Sequence, residues 1–249
     1  YHKEMKILYA SVFLLLFVCF LVLLFLPKRR PVSFCIVQTW KSNQLPLEFQ
    51  NNQDKVLRLH PQANYCFFTD RQVLAFVERH FPTYLTLFHS FPYTIQRIDL
   101  FRYLAVYAKG GLYLDMDMQM HKAFQPHPKQ CVFPLEFQQN GDPCLQQQGF
   151  RGLIGNYAFS CPAKHPFLAL LLHNIQHQRL KKHIHNDMTG MKQVFYTTGP
   201  VMVTQTYLDF EDKDSITVLK PSPLFRACRF GNYAIHTMSG TWKNTHASR

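Results

Sequence analysis

The stretch from Thr94 to Met118 restricts the fold most. TIQRIDLFRYLAVYAK (94–109) places Ile95, Ile98, Phe101, Ala105 and Ala108 on one apolar stripe at helical spacing. Gly110-Gly111 stops that helix, because a glycine just past the last turn readily takes positive φ. LYLDMDM (112–118) follows at once and reads as a strand. A helix that returns directly into an apolar strand is half of an α/β unit, and such a unit needs a sheet covered on its faces.

The rest of the chain repeats the alternation. SFCIVQTW (33–40) reads as a first strand, residues 46–59 as a helix through Leu47, Val56, Leu57 and Leu59, and NYCFFTD (64–70) as a second strand. Asp70 is placed to cap the helix RQVLAFVERHF. Residues 153–160 form another expected strand, helices are expected from Pro166 to Leu180 and from Pro200 to Asp209, and ITVLK is a late strand. The order predicts an α/β fold with a mostly parallel sheet flanked by helices, in which ligands bind at the carboxyl ends of strands.

Residues 7–26 are twenty positions without a charge. At a rise of about 1.5 Å per residue they span about 30 Å, the thickness of a bilayer core. The run exceeds a signal-peptide core and is followed by Pro-Lys-Arg-Arg-Pro, so an uncleaved transmembrane anchor is expected. The expected organisation is a flank at 1–6, an anchor at 7–26, a basic linker at 27–32 and one catalytic-size domain at 33–249. Orientation stays open: Lys28, Arg29 and Arg30 outnumber Lys3 and Lys6, and the positive-inside rule then favours a cytosolic C-terminal domain.

A net charge of +12 attracts anions. No dense Lys/Arg stripe or nucleic-acid motif occurs, so nucleic acid is not the expected partner. A phosphate-bearing substrate or lipid beside a bilayer is. Of seven cysteines, Cys19 lies in the apolar run. No C-x-x-C pair argues for a zinc ribbon. Cys35 and Cys66 read as buried thiols, and Cys131 and Cys144, which bracket a polar loop, are candidates for a disulfide in an oxidising lumen.

The chemistry concentrates at the end of the central unit. Asp115 and Asp117, two apart in a strand, face the same way, and paired carboxylates repel unless a cation lies by them. A hard divalent ion fits oxygen ligands, and Mn²⁺ suits a site that also holds a His. Asp99 and Arg102 share a face of the preceding helix, where charge is costly without polar contacts. Each feature alone has an ordinary reading, as a solvated Asp pair or an intrahelical ion pair; their joint placement is what singles them out. His183 and His185 with Lys181 and Lys182 read as a solvated basic face.

The pattern D-x-x-R-Y-L-x-x-Y-x-x-G-G-x-Y-x-D-x-D, carried by Asp99, Arg102, Tyr103, Leu104, Tyr107, Gly110, Gly111, Tyr113, Asp115 and Asp117, resembles the sugar-nucleotide-binding signature of glycosyltransferase family 32. The family's opening H-Q-x-W-K is matched by Gln38-Thr39-Trp40-Lys41, with Val37 where His is usual. Asn156, His165-Pro166, Thr198-Gly199-Pro200, His236 and Trp242 continue the resemblance in the family's order. It implies a GT-A-like fold and retaining transfer. Asp117 would bind a Mn²⁺ or Mg²⁺ ion with His236, and Asp115 would touch the ribose, the sugar or a metal-bound water. Asp99 and Arg102 would hold donor hydroxyls, Trp40 and Thr39 would lie at the nucleotide, Tyr113 would line the donor pocket, and Asn156 and Gly199 would face the reacting sugar or the acceptor. The Val37 departure touches a pocket contact and not the metal site.

The implied reaction is hexosyl transfer, with GDP-mannose the first donor and UDP-galactose the second, to a glycolipid or N-glycan hydroxyl; an accessory subunit is left open. In a eukaryotic cell the resemblance implies a type II protein facing the Golgi or secretory lumen. With no second carboxylate evident for a covalent intermediate, the expected course is attack from the leaving-group face, a diphosphate oxygen taking the acceptor's proton. Two rivals belong to other classes. A phosphohydrolase using Asp115 as nucleophile wants Thr or Val two after the second Asp, where Gln119 stands. A catalytically inactive, lectin-like relative sits badly with the intact Asp pair.

Overall fold

The computed structural model describes residues 34–137, 142–184, 190–220 and 228–240. The expected anchor at 7–26, its flanks, His185 and Trp242 lie outside the described residues. Among the described residues no helix is long and apolar enough to cross a membrane.

The first half alternates as the sequence predicts: β1 (Cys35–Trp40), α1 (Leu47–Leu59), β2 (Asn64–Thr69), α2 (Asp70–His80), α3 (Leu85–Ser90), α4 (Thr94–Lys109) and β3 (Gly111–Leu114). The cap of α2 is Thr69 rather than Asp70. Its hydroxyl accepts from the Gln72 amide while the Gln72 side chain accepts from the Thr69 amide, so the reciprocal pair one residue earlier wins. Gly110 (φ +67°) closes α4, its amide donating to the Val106 carbonyl. Gly111 (φ +108°) lets β3 come against β1: a Cβ there would lie 2.0 Å from the Cys35 carbonyl oxygen.

The second half is β4 (Met118–Met120), β5 (Cys131–Phe137), α5 (Pro143–Gln146), β6 (Gly152–Ile154), β7 (Ala158–Cys161), α6 (Pro166–Gln176), α7 (Gly190–Thr197), α8 (Pro200–Asp209), β8 (Ile216–Leu219), β9 (Arg229–Phe230) and β10 (Ala234–His236). The main sheet runs β2-β1-β3-β7-β5-β6, with β8 beside β5. Pairing is parallel in the β2-β1-β3 half and at β5–β8; β7 and β6 enter antiparallel. Side chains alternate between two apolar cores. Val37, Tyr113, Phe133 and Phe159 face the one built with α2, α4, α6 and α8. Ile36, Leu112, Leu114, Val132 and Ala158 face Val56 of α1 together with Met118, Met120, Phe230 and Ala234 of the small sheet β4-β10-β9. Both faces are covered, as near-continuous apolar strands require.

Three expectations change. First, α4 is not a helix with one apolar stripe: residues 99–106 are buried all round, Asp99 and Arg102 included, while Ala108 is exposed. It packs between β1, β3, β7 and the helices α2 and α6, so every side meets protein. Second, the strand expected at 112–118 ends at Leu114; Asp115 to Asp117 make a turn, and Met118 opens a strand of the other sheet. Likewise 153–160 is two strands broken at Gly155–Tyr157. Third, Cys131 is bonded to Cys161, directly across the β5–β7 pairing beside Val132–Ser160, and Cys144 is a buried free thiol in α5. Strand register, and not sequence proximity, selects the pair. Cys35 and Cys66 are free thiols whose sulfurs approach to 2.6 Å.

Candidate active site

The turn Asp115–Asp117 lies where β3 leaves one sheet and the chain enters the other. In the small sheet Met118 is paired with His236, which sets the imidazole beside Asp117. His236 Nε2 lies 3.1 Å from Asp117 Oδ1. The other oxygen, Oδ2, accepts from the Ser239 amide at 3.0 Å and the Ser239 hydroxyl at 2.9 Å. Thr237 ties down the Asp117 carbonyl through its amide and its hydroxyl. Burial pushes the Asp117 carboxyl up, but His236 and Ser239 outweigh it and hold the group below its ordinary value. His236 shows the converse: burial disfavours its charge, and Asp117 and Asp115 raise its pKa above that of a free imidazole.

Asp115 is fixed from below. Tyr113 donates to its Oδ1 at 2.6 Å, and Arg102 Nη2 lies 3.3 Å from the same oxygen. Burial still holds its carboxyl above the ordinary value, against the pull of Arg102. Arg102, 2% exposed, also reaches Asp99 Oδ1 at 3.2 Å and the Asn156 carbonyl at 2.7 Å, and its guanidinium lies 4.5 Å from the Tyr113 ring centroid. Asp99, 3% exposed, accepts from Asn156 at 3.0 Å and Thr198 at 2.8 Å. Burial pushes the Asp99 carboxyl up to about 6. Asp99 and Arg102 thus form a buried brace that holds Asp115 and Asn156, and Arg102 Nε is left without a protein partner among the described residues.

Asp115, Asp117 and His236 each offer a ligand atom, all within 4.8 Å of one another. Two carboxylates and one imidazole make a donor set suited to a hard or borderline divalent cation such as Mg²⁺ or Mn²⁺. A cavity of about 450 Å³ opens over them. Thr39, Trp40, Asp99, Arg102, Asp115, Asp117, Asn156 and His236 from the sequence analysis all line it. Trp40 stands edge-on to Phe49, ring centroids 4.8 Å apart. Tyr113 is buried under Asp115 rather than at the cavity wall. Gly199 is not among the lining residues; a Cβ there would lie 2.9 Å from the Phe195 Cα, so its role is the close approach of α7 and α8. His165 caps α6 away from the cavity, its Nδ1 accepting from the Phe167 amide.

Sequence reasoning missed Glu136, Tyr157 and Ser239, which also line the cavity. A lone charge in the apolar run CVFPLEF was the available signal for Glu136. No local signal marks Ser239. The apolar wall of Ile95, Ile98, Met191, Val194 and Phe195 was missed as well.

Residues 46–134 match the family described as a glycosyltransferase sugar-binding region containing a DXD motif. The chain is 28% identical over 219 residues to inositol phosphoceramide mannosyltransferase 1 of Schizosaccharomyces pombe, covering 85% of this chain and 62% of that protein. It is 24% identical over 193 residues to the mannosyl phosphorylinositol ceramide synthase CSH1 of Saccharomyces cerevisiae, covering 75% of this chain and 47% of that protein. The chain therefore spans less than two thirds of these relatives. Among solved structures, PaToxG glycosyltransferase aligns with a TM-score of 0.44 at 16% identity, over 72% of this chain and 70% of that one, a likeness too slight to argue from.

Proposed function

We propose, from the premise that this chain carries a glycosyltransferase sugar-binding region of the DXD type, that it transfers a hexose from a nucleotide sugar to a glycolipid hydroxyl. Mannose from GDP-mannose is the first donor and UDP-galactose the second. The acceptor is inositol phosphoceramide, the substrate in the names of the relatives, with an N-glycan as the alternative. The observation that carries the reading is the convergence of Asp115, Asp117 and His236 on one cavity that also holds Trp40. The apolar wall supports a lipid acceptor: Met191 is 41% exposed and Met238 57% at residues lining the same cavity. An anchor at 7–26 would keep the domain beside such an acceptor, in a lumenal, type II orientation that the Cys131–Cys161 disulfide favours.

Asp117, Asp115 and His236 would hold a Mn²⁺ or Mg²⁺ ion. When bound, the ion supplies Lewis-acid stabilisation of the charge that grows on the departing diphosphate. Arg102 keeps Asp115 aimed into the cavity and adds a buried positive field. Asn156, held by Asp99 and Tyr103, presents a fixed wall to the reacting sugar. The bond from the anomeric carbon to the diphosphate oxygen breaks as the bond to the acceptor oxygen forms on the same face. The acceptor's proton passes to the diphosphate, and configuration is retained. A trapped glycosyl–enzyme adduct would overturn that course. The function is tested by assaying nucleoside diphosphate release and lipid product with Mn²⁺, inositol phosphoceramide and a panel of sugar nucleotides. Mannosylated lipid from GDP-mannose is expected; release of inorganic phosphate with no glycosylated product contradicts it.

A further inference from the structure

Besides the exposed Asp70, one carboxylate lining the cavity belongs neither to the metal-ligand set nor to the brace beneath it. Glu136 lies on β5, opposite Leu153 of β6, and its side chain lines the cavity with Asp115, Asp117 and His236. It is outside the cluster whose ligand atoms all lie within 4.8 Å. Its carboxylate accepts no hydrogen bond from the described residues; the charged group acting on it is His236.

The backbone is shaped around this group. Gly155 follows β6, its amide donating to the Pro134 carbonyl at 2.9 Å. A Cβ on Gly155 would lie 2.8 Å from Glu136 Oε1 and 2.6 Å from the Tyr157 ring. The carboxylate therefore occupies the space a side chain at 155 would take, next to Tyr157, whose ring stacks on His236 with centroids 4.4 Å apart. A half-buried acid that accepts from no donor among the described residues is left to water or a ligand in the cavity. A nucleotide phosphate offers acceptors and no donors, so the fitting ligand is a hydroxylated group that can donate.

We propose that Glu136 is the acceptor-binding residue, its carboxylate accepting hydrogen bonds from the hydroxyls of a polyol headgroup and aiming one of them at the anomeric carbon. The inference rests on the transferase reading and deepens it. Glu136 takes no proton in the transfer: the acceptor O–H proton goes to the departing diphosphate, and Glu136 only orients the attacking oxygen.

The test compares the wild type with Glu136→Gln, Glu136→Asp and Gly155→Ala, using Mn²⁺, GDP-mannose and inositol phosphoceramide in detergent micelles. Kinetics in each substrate are paired with calorimetric binding of GDP in the presence of Mn²⁺. The expected result for Glu136→Gln is a loss of at least tenfold in kcat/KM for the acceptor, with KM for GDP-mannose and the affinity for GDP unchanged. Glu136→Asp recovers part of the loss, and Gly155→Ala, which displaces the carboxylate, shifts the acceptor KM in the same direction. Weakened GDP affinity in Glu136→Gln, or an unchanged acceptor kcat/KM, overturns the assignment. A wild type that turns over neither GDP-mannose nor UDP-galactose is a different failure: it removes the transferase reading, and this assignment with it.

Discussion

Asp117 is held along its whole reach, with the carbonyl on Thr237, one carboxylate oxygen on Ser239 and the other facing His236. Asp117→Asn keeps the shape and one acceptor oxygen for Ser239 but removes the charge and turns the oxygen facing His236 into an N–H donor, so the folded protein should persist while Mn²⁺ affinity collapses. We expect sugar-nucleotide turnover to fall by at least ~100-fold, the scale of losing a key electrostatic group, with Tm within a few degrees of wild type. Unchanged turnover would remove Asp117 from the mechanism. Glu136 makes a different residue-scale prediction. Its carboxyl, pushed up to about 7, releases its proton in the unfolded chain near pH 4.5. Between those values the folded form keeps a proton that the unfolded form has lost, so stability falls as pH rises through that window. Glu136→Gln should flatten that fall, being more stable than the wild type at pH 8 by up to roughly 3 kcal/mol and indistinguishable at pH 4. Thermal melts of metal-free protein across that range decide it; equal slopes contradict it.

At the scale of elements, the Gly-Gly junction turns α4 into β3 and lets β3 touch β1. Gly111→Ala needs a Cβ 2.0 Å from the Cys35 carbonyl at φ +108°, a backbone clash no rotamer relieves. A loss of ~3 kcal/mol or more is expected. Gly149→Ala, at φ +76° with nothing within 4 Å, should cost only ~1 kcal/mol. Denaturant melts of the two variants separate clash from backbone strain. This junction was legible because glycine pairs and helical periodicity are local. The turn at Asp115–Asp117 was not: the partner of β4 is β10, more than a hundred residues on, and only that pairing bends the chain out of the first sheet. The turn nonetheless brings Asp115 and Asp117 together with His236, their ligand atoms all within 4.8 Å of one another. Asp99 and Arg102 were read as ligand-facing and do line the cavity, but the partners that hold them, Thr198 and Asn156, come from distant segments that no local pattern ties to α4.

At the scale of the molecule, the catalytic half-sheet and the antiparallel half are joined across β3–β7 and β7–β5. Among the described residues the Val132–Ser160 register pair alone links β5 to β7, and the Cys131–Cys161 bond lies directly beside it. Chain-entropy reasoning for a sequence separation of 30 gives about 3.6 kcal/mol. Cys161→Ala should therefore lower stability by about that much, and a non-reducing peptide map should find Cys131 joined to Cys161 with Cys144 free. A Cys131–Cys144 peptide would contradict the strand register. The whole account returns to the meeting point of the two sheets, where Asp115, Asp117 and His236 face one cavity. Anomalous diffraction at the manganese edge, from crystals grown with Mn²⁺ and GDP, tests that claim most directly. The account predicts a peak within bonding distance of Asp117 and His236 with the nucleotide's diphosphate against it; a bound nucleotide whose diphosphate lies away from those residues, with no peak between them, would contradict it.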